Sequence, residues 1–152
     1  MENIRVRVNG RPYEDRVNGT QLLVHYLRDV RGLTGTALAC DTSRCGACMV
    51  LMDDLPVLSC TLLAVQANEA RIETIEGVEA DGEHALRRAL REEGAEACAE
   101  CIAGRIIVAD ALLRLKRRPM RGEVVRALEG NRCSCSMAES FVHAVLRVAG
   151  GT

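Results

Sequence analysis

The feature that most constrains this chain is its eight cysteines, which fall into two groups of four. The first group has the spacing Cys40-x4-Cys45-x2-Cys48-x11-Cys60, and the second has Cys98-x2-Cys101-x31-Cys133-x-Cys135. The chain opens with alternating charged and apolar residues, which is typical of a strand and not of a signal peptide, and no apolar run approaches the roughly 20 residues that span a bilayer. We therefore expect a cytoplasmic protein whose thiols stay reduced and whose clustered cysteines bind metal.

The first group has the spacing of plant-type [2Fe–2S] ferredoxins, C-x4-C-x2-C followed by a distant cysteine. Four thiolates enclose a rhombic cluster of net negative charge, so the loop must bring backbone N–H groups close to sulfur. Gly35, Gly46 and Ala47 are small enough to allow that approach. The sequence therefore predicts a [2Fe–2S] site at Cys40, Cys45, Cys48 and Cys60.

The second group lies at the starts of two predicted helices, with Cys98 and Cys101 before one and Cys133 and Cys135 before the other. Two helix N-termini would offer unpaired N–H groups and positive dipole ends to an anionic cluster. A C-x-C pair is short for the usual zinc ribbon. Structural zinc, disulfides and inert core cysteines remain alternatives, but the spacing favours a second [2Fe–2S] site.

The periodicity of the chain changes near residue 76. The first 76 residues read as short strands around one helix that Thr20 caps, with a hairpin turn at Asn9-Gly10, and predict an α+β, β-grasp domain of the plant-type ferredoxin-like kind. An acidic segment with glycine, residues 77–83, predicts a linker. Residues 84–152 then show helical periodicity, which predicts a C-terminal four-helix bundle. The predicted helices span 84–93, 102–117, 123–129 and 138–149.

Charge and composition argue against nucleic acid as a partner. The 20 Lys and Arg residues nearly balance 21 Asp and Glu residues, and only Tyr13, Tyr26 and Phe141 are aromatic. Residues 105–132 hold eight basic and three acidic residues, whereas residues 67–100 hold ten acidic and four basic ones. These segments predict either solvated helix faces or docking surfaces for partner subunits. The histidines, His25, His84 and His143, are predicted to be surface or packing residues.

The two cysteine groups, in this order, resemble those of the small iron–sulfur subunit of the molybdenum hydroxylases, the xanthine oxidase family. The resemblance covers nearly the whole chain and includes Leu33-Thr34-Gly35, Ser59-Cys60 and Thr74-Ile75-Glu76-Gly77. Within that family, residues 40–48 and 64–68 are most similar to the small subunit of the aerobic carbon monoxide dehydrogenases.

The resemblance implies an electron-transfer subunit of an oxidoreductase, with no catalytic residue of its own. A large subunit would hold a molybdenum–pterin cofactor at which the substrate is oxidised, and a medium subunit would carry FAD. Single electrons would pass through the cluster of the second cysteine group, then through the cluster of the first, to the flavin or another acceptor. The substrate would not touch this chain, so the sequence does not predict it.

The sequence departs from the family around the second cysteine group. Ala97 stands where a pterin-contacting Gln is usual, Ala99-Glu100 where Gly and an aromatic residue are usual, Ser134 where Arg is usual, and Ser136-Met137-Ala138 where Thr-Gly-Tyr is usual. A carboxylate of Glu100 close to the cluster would lower its reduction potential. These changes predict an altered interface with the cofactor-bearing subunit. They also keep a second function open, a metal-binding structural or redox-sensing module without a molybdenum partner.

Overall fold

The computed structural model describes residues 1–94, 99–132 and 137–150. The N-terminal part of the chain forms one mixed five-stranded sheet, in the order β2-β1-β5-β3-β4. Strands β1 and β5 pair in parallel, and the other neighbouring strands pair antiparallel. The strands are β1 (Glu2–Val8), β2 (Arg11–Val17), β3 (Met49–Met52), β4 (Leu55–Leu58) and β5 (Arg71–Glu73).

Two tight turns fold the outer strands into hairpins. Asn9 and Gly10 have φ values of 49° and 80°, and two consecutive positive φ values are what a type I′ turn requires. Asp53 and Asp54, with φ values of 50° and 69°, make the same kind of turn between β3 and β4. The hairpin predicted at Asn9-Gly10 is therefore confirmed. Strand β5 ends at Glu73, and a helix begins two residues later at Ile75.

One short helix packs against the sheet in this part of the chain. It begins as α1 (Leu23–His25) and continues as a π-helical turn over Tyr26–Val30. Its buried side chains join those of the sheet in one apolar core, which includes Ile4, Val6, Val8, Leu23, Tyr26, Leu27, Val50 and Ile72. Burial of this face therefore fixes the helix on the sheet.

The predicted cap of this helix is wrong. The residue that precedes α1 is Leu22, and no side chain caps the first turn. The hydroxyl of Thr20 instead donates to Oδ1 of Asn18 at 2.9 Å. Thr20 thus belongs to the turn after β2, two residues too early to cap the helix.

The C-terminal part of the chain is helical. Residues of five described helices share a second apolar core, which includes Ile75, Leu86, Ile102, Ile106, Val124 and Phe141. The four predicted helices are all present in this part, with ends shifted by a few residues. The helices are α2 (Ile75–Val78), α3 (Ala85–Glu92), α4 (Ala99–Leu115), α5 (Arg121–Ala127) and α6 (Ala138–Gly150).

Helix α4 connects the two parts of the molecule. One of its faces lies in the helical core, and Ile107 and Ala111 on another face pack against Leu51 of β3. The helix is 17 residues long and is buried through most of its length. No helix among the described residues is long and apolar enough to cross a lipid bilayer. Helix α4 therefore packs against both the helical core and the sheet.

Candidate metal centres

The β3–β4 hairpin brings the last two cysteines of the first group together. Cys48 directly precedes β3, and Cys60 lies two residues after β4. The hairpin register pairs the ends of the two strands, so Ser59 donates from its N–H and its hydroxyl to the carbonyl oxygen of Cys48, at 3.3 and 2.7 Å. Hairpin formation therefore places Cys60 next to Cys48, although 11 residues separate them in the sequence.

The loop before β3 holds the other two cysteines in a concave backbone. Ser43 and Gly46 have positive φ values, 56° and 70°, which turn successive N–H groups toward one side of the loop. Backbone hydrogen bonds from Cys45, and then from Arg44, lower the pKa of the Cys40 thiol to about 6. The loop is thus built to stabilise a negatively charged sulfur at Cys40.

The four sulfur atoms of the first group meet in pairs. The side chain of Cys45 contributes to the lowered pKa of Cys40, and the side chain of Cys60 contributes to the raised pKa of Cys48, so the members of each pair lie close together. All four are thiols without a disulfide. No group of three or more His, Cys, Asp or Glu side chains among the described residues converges on a single ion. Two pairs of thiols fit a rhombic cluster, in which each of two irons takes two thiolates.

Burial distinguishes the inner cysteines from Cys40. Burial raises the pKa of Cys48, which is 3% exposed, and that of Cys45. Thiols of this kind release their protons when a metal binds, because the thiolate is the ligand. The donor set, its burial and the N–H groups around it fit a [2Fe–2S] cluster.

The structure describes one cysteine of the second group, Cys101. It lies in the first turn of α4 and is 6% exposed. The other three cysteines, Cys98, Cys133 and Cys135, lie outside the described residues, as do Ala97, Ser134 and Ser136. Within the described residues α4 runs from Ala99 and α6 from Ala138, so Cys101 lies inside a helix that was predicted to begin at residue 102.

A tight junction joins the loop of the first group to the surroundings of the second. We call Gly46, Gly104 and Asn131 the Gly46 junction. The Nδ2 atom of Asn131 donates to the carbonyl oxygen of Gly46 at 3.1 Å, and a Cβ on Gly104 would overlap that same oxygen. The backbone N–H of Arg132 also donates to the carbonyl oxygen of Arg44 at 3.0 Å. The first cysteine loop therefore rests on residues close in sequence to Cys101 and Cys133.

A second brace holds the start of the same loop. Oε1 of Glu76 accepts from the N–H of Gly35 at 2.7 Å, and Oε2 accepts from the hydroxyl of Thr74 at 2.6 Å. Gly35 has no room for a side chain, because a Cβ there would lie 2.5 Å from Ile75 Cγ2. Glu76 thus ties the approach to Cys40 to the first turn of α2.

The sequence did not predict these contacts. Gly35 and Gly46 were identified only as small residues near the cluster, and Glu76 only as part of a matching motif. Gly104 and Arg105 interrupt an apolar stretch of α4, and this interruption is the signal that could have identified them. Asn131 gave no such signal. The prediction that the histidines are surface or packing residues, not metal ligands, fits His84. Its Nδ1 atom caps α3 by accepting from the N–H of Leu86 at 3.1 Å.

Comparison with known proteins identifies two domain families and close relatives along nearly the whole chain. Residues 6–72 match the family described as "2Fe-2S iron-sulfur cluster binding domain", and residues 74–146 match "[2Fe-2S] binding domain". The chain is 37% identical to the nicotine 6-hydroxylase small subunit of Paenarthrobacter nicotinovorans over 147 residues, which cover 97% of this chain and 89% of that protein. The chain belongs to the family of small iron–sulfur subunits of the molybdenum hydroxylases.

Solved structures extend the likeness of this small iron–sulfur subunit to its fold. A crystal structure of quinoline 2-oxidoreductase from Pseudomonas putida 86 matches with a TM-score of 0.89 and 37% identity, covering 97% of this chain and 92% of that chain. Aldehyde oxidoreductase from Desulfovibrio gigas matches with a TM-score of 0.91 and 32% identity, covering 99% of this chain but 17% of that chain. The family resemblance seen in the sequence is confirmed, and the same unit also occurs within a longer chain.

Proposed function

We propose that this small iron–sulfur subunit transfers electrons within a molybdenum-dependent oxidoreductase complex. It would receive single electrons from a molybdenum–pterin site on a large subunit and pass them to FAD on a medium subunit or to another acceptor. The observation that carries the proposal is the Gly46 junction, which fastens the two cysteine-bearing regions together. A relay needs such a fixed arrangement, because the rate of electron transfer depends on the distance between its two centres.

The first cluster is assigned to the paired thiols described above. Cys40 and Cys45 would hold one iron, and Cys48 and Cys60 the other, which the effect of each pair's members on one another's pKa supports. The second cluster is assigned to Cys98, Cys101, Cys133 and Cys135. Cys101 supports this assignment, because it is buried at the start of a helix where an anion is stabilised.

The residues of this chain control the surroundings of each cluster. When bound, each cluster supplies a site that takes up and releases one electron at a time. The N–H groups around Cys40 stabilise negative charge on sulfur, and burial of Cys48 and Cys101 keeps water away. Both effects tune the potential at which an electron is accepted.

We also propose how the helices pack, where the domains begin and end, and where in the cell the protein is located. We propose that α3, α4, α5 and α6 pack as a four-helix bundle, supported by their shared apolar core. The proposed domains are residues 1–76 and 84–152, joined by residues 77–83. We place the protein in the cytoplasm, where thiols remain reduced until they bind iron. The medium FAD subunit and the closer likeness to carbon monoxide dehydrogenases stay predictions.

The substrate of the complex is set elsewhere. The names of the relatives refer to nicotine, quinoline and aldehydes, so one small-subunit fold serves complexes that act on different compounds. We therefore propose no substrate contact for any residue of this chain.

The proposal is tested by the metal content of the natively purified complex. About four irons and four acid-labile sulfides per chain, with about one molybdenum per complex, are expected from two [2Fe–2S] clusters and one molybdenum site. Zinc instead of iron in a sample kept free of air would refute electron transfer. Iron without molybdenum would favour the sensing module, which the likeness to oxidoreductase subunits makes the weaker alternative.

Ligand assignment needs variants of each group. We expect Cys48→Ala to remove one of two electron paramagnetic resonance signals and Cys101→Ala to remove the other. Thr61→Ala is a matched control, because Thr61 is exposed, lies next to Cys60 and donates its hydroxyl to the carbonyl oxygen of Leu58. Loss of both signals in the control would show that any substitution in this loop disrupts the clusters, and the cysteine variants would then not identify ligands.

A further inference from the structure

A buried arginine lies beside the second cysteine group. Arg105 is 6% exposed and follows Cys101 by one turn of α4, so both side chains lie on the same side of the helix. Charged side chains are almost never buried to this degree unless an opposite charge compensates them. The position of Arg105 therefore calls for an anion nearby.

The described residues supply no such anion. Nη2 of Arg105 donates to the carbonyl oxygen of Asn131 at 3.3 Å, and its guanidinium carbon lies 5.7 Å from the centre of the Phe141 ring. Its Nε atom is buried without a hydrogen-bond acceptor. None of the ion pairs among the described residues includes Arg105. A carbonyl group and an aromatic ring leave most of a buried positive charge uncompensated.

We propose that Arg105 is the buried counter-charge of the cluster held by Cys101 and its three partner cysteines. The proposal rests on the ligand role of Cys101 proposed above. A [2Fe–2S] cluster with four thiolates is anionic, and reduction adds one more negative charge. A cation buried beside it therefore stabilises the reduced form more than the oxidised form and raises the reduction potential.

Two residues of α4, Glu100 and Arg105, have opposite effects on the reduction potential of this cluster, and their burial determines which effect is larger. Glu100 was expected to lower the potential of this cluster, but it is exposed, so water and salt screen its charge. Arg105 acts through the low-dielectric interior, where a charge has a larger effect at the same distance. Ser134, which stands where an arginine is usual in the family, leaves Arg105 to supply the positive charge. The net effect on the potential is upward.

The test is a redox titration of the natively purified complex, followed by electron paramagnetic resonance. Cys48→Ala and Cys101→Ala assign the two signals. In Arg105→Gln, the ratio of reduced to oxidised second cluster, measured at its wild-type midpoint potential, is expected to fall about tenfold, which is about 59 mV for a one-electron couple. The first cluster should not shift, and Arg105→Lys should restore most of the change because it keeps the charge.

Arg118→Gln is the matched control, since Arg118 is exposed beyond the far end of α4, and it should move neither potential. An unchanged second midpoint in Arg105→Gln with full iron content would overturn the proposal. If Arg105→Gln fails to hold the second cluster, retention of four irons by Arg105→Lys supports the charge, and loss in both variants overturns it. If Cys101→Ala keeps both signals, the ligand assignment itself fails, and the role of Arg105 fails with it.

Discussion

The carbonyl oxygen of Gly46 lies directly against Gly104, at a point where α4 leaves no space for a side chain. This contact joins the cysteine loop of the sheet domain to the helix that carries Cys101. A methyl group on Gly104 must push the two elements apart. The first prediction follows from this overlap.

Gly104→Ala is expected to destabilise the protein by about 3 kcal/mol, at the upper end of the usual cost of overpacking. The displaced loop should also release its cluster more easily. Chemical denaturation and the loss of visible absorbance on heating measure the two effects. Gly122→Ala in α5 is the control, because nothing lies within 4 Å of a Cβ there, and a helical Gly→Ala change should stabilise by up to about 1 kcal/mol. Equal stability of the two variants would contradict the tight contact.

Asn131→Ala should cost about 1 kcal/mol, because it removes a buried hydrogen bond to the carbonyl oxygen of Gly46, which keeps the N–H of Met49 as its other donor. Denaturant unfolding of the iron-loaded protein measures this loss. Asn3→Ala, at an exposed position of β1, should change stability by no more than about 0.5 kcal/mol. A similar small change in Asn131→Ala would mean that the hydrogen bond contributes nothing to the junction.

Glu76→Ala should weaken the loop that leads to Cys40, because the N–H of Gly35 and the hydroxyl of Thr74 both lose their acceptor. We expect a loss of about 2 kcal/mol, as is usual for hydrogen bonds to a charged group. The cluster of the first group should bleach faster under a chelator, with the second unaffected. Glu76→Gln keeps one acceptor oxygen and should recover part of the loss, whereas the exposed Glu2→Ala should behave as wild type.

Glu79 predicts a pH dependence of stability. Burial raises the pKa of Glu79, but the hydrogen bonds from Arg87 and from the N–H of His84 lower it by a larger amount. The pKa of Glu79 therefore lies below its ordinary value. A lowered pKa in the folded protein gives stability that is present above the unfolded pKa and is lost as the pH falls through the folded pKa. The free energy of unfolding of the wild type should therefore exceed that of Glu79→Gln by about 1 kcal/mol at pH 7, a modest value for a partly exposed ion pair.

That difference should shrink below about pH 4, where the carboxylate of the unfolded chain is protonated. Thermal unfolding between pH 3 and 8 measures it. Glu129→Gln, at an exposed position, should show no such trend. A constant difference between wild type and Glu79→Gln across this range would exclude the ion pair as its source.

Local patterns predicted much of this architecture. The hairpin at Asn9-Gly10 follows from residues that accept positive φ, and α6 follows from the spacing of Phe141, Val142 and Val145. The cysteine spacing predicted a [2Fe–2S] site in the first group, because cluster geometry limits which spacings work, and this assignment stays a prediction. These features depend on residues close together in the sequence.

Long-range contacts escaped prediction because no local pattern encodes them. Asn131 reaches Gly46 across 85 residues, and the burial of Arg105 becomes visible only when α4 is placed. Arg105 lay in a basic segment that predicted either a solvated face or a docking surface, and for this residue the structure shows neither. The helix cap failed for a related reason, since Thr20 had a nearer partner in Asn18.

Helix α4 takes part in two apolar cores at once, through Ile106 on the helical side and Ile107 against β3. Separation of the domains would expose Leu51 and the face of α4 that covers it. The chain should therefore unfold in a single cooperative transition, and the sheet domain expressed alone should aggregate. For the cell, this means that both iron centres have to be assembled into one folding unit.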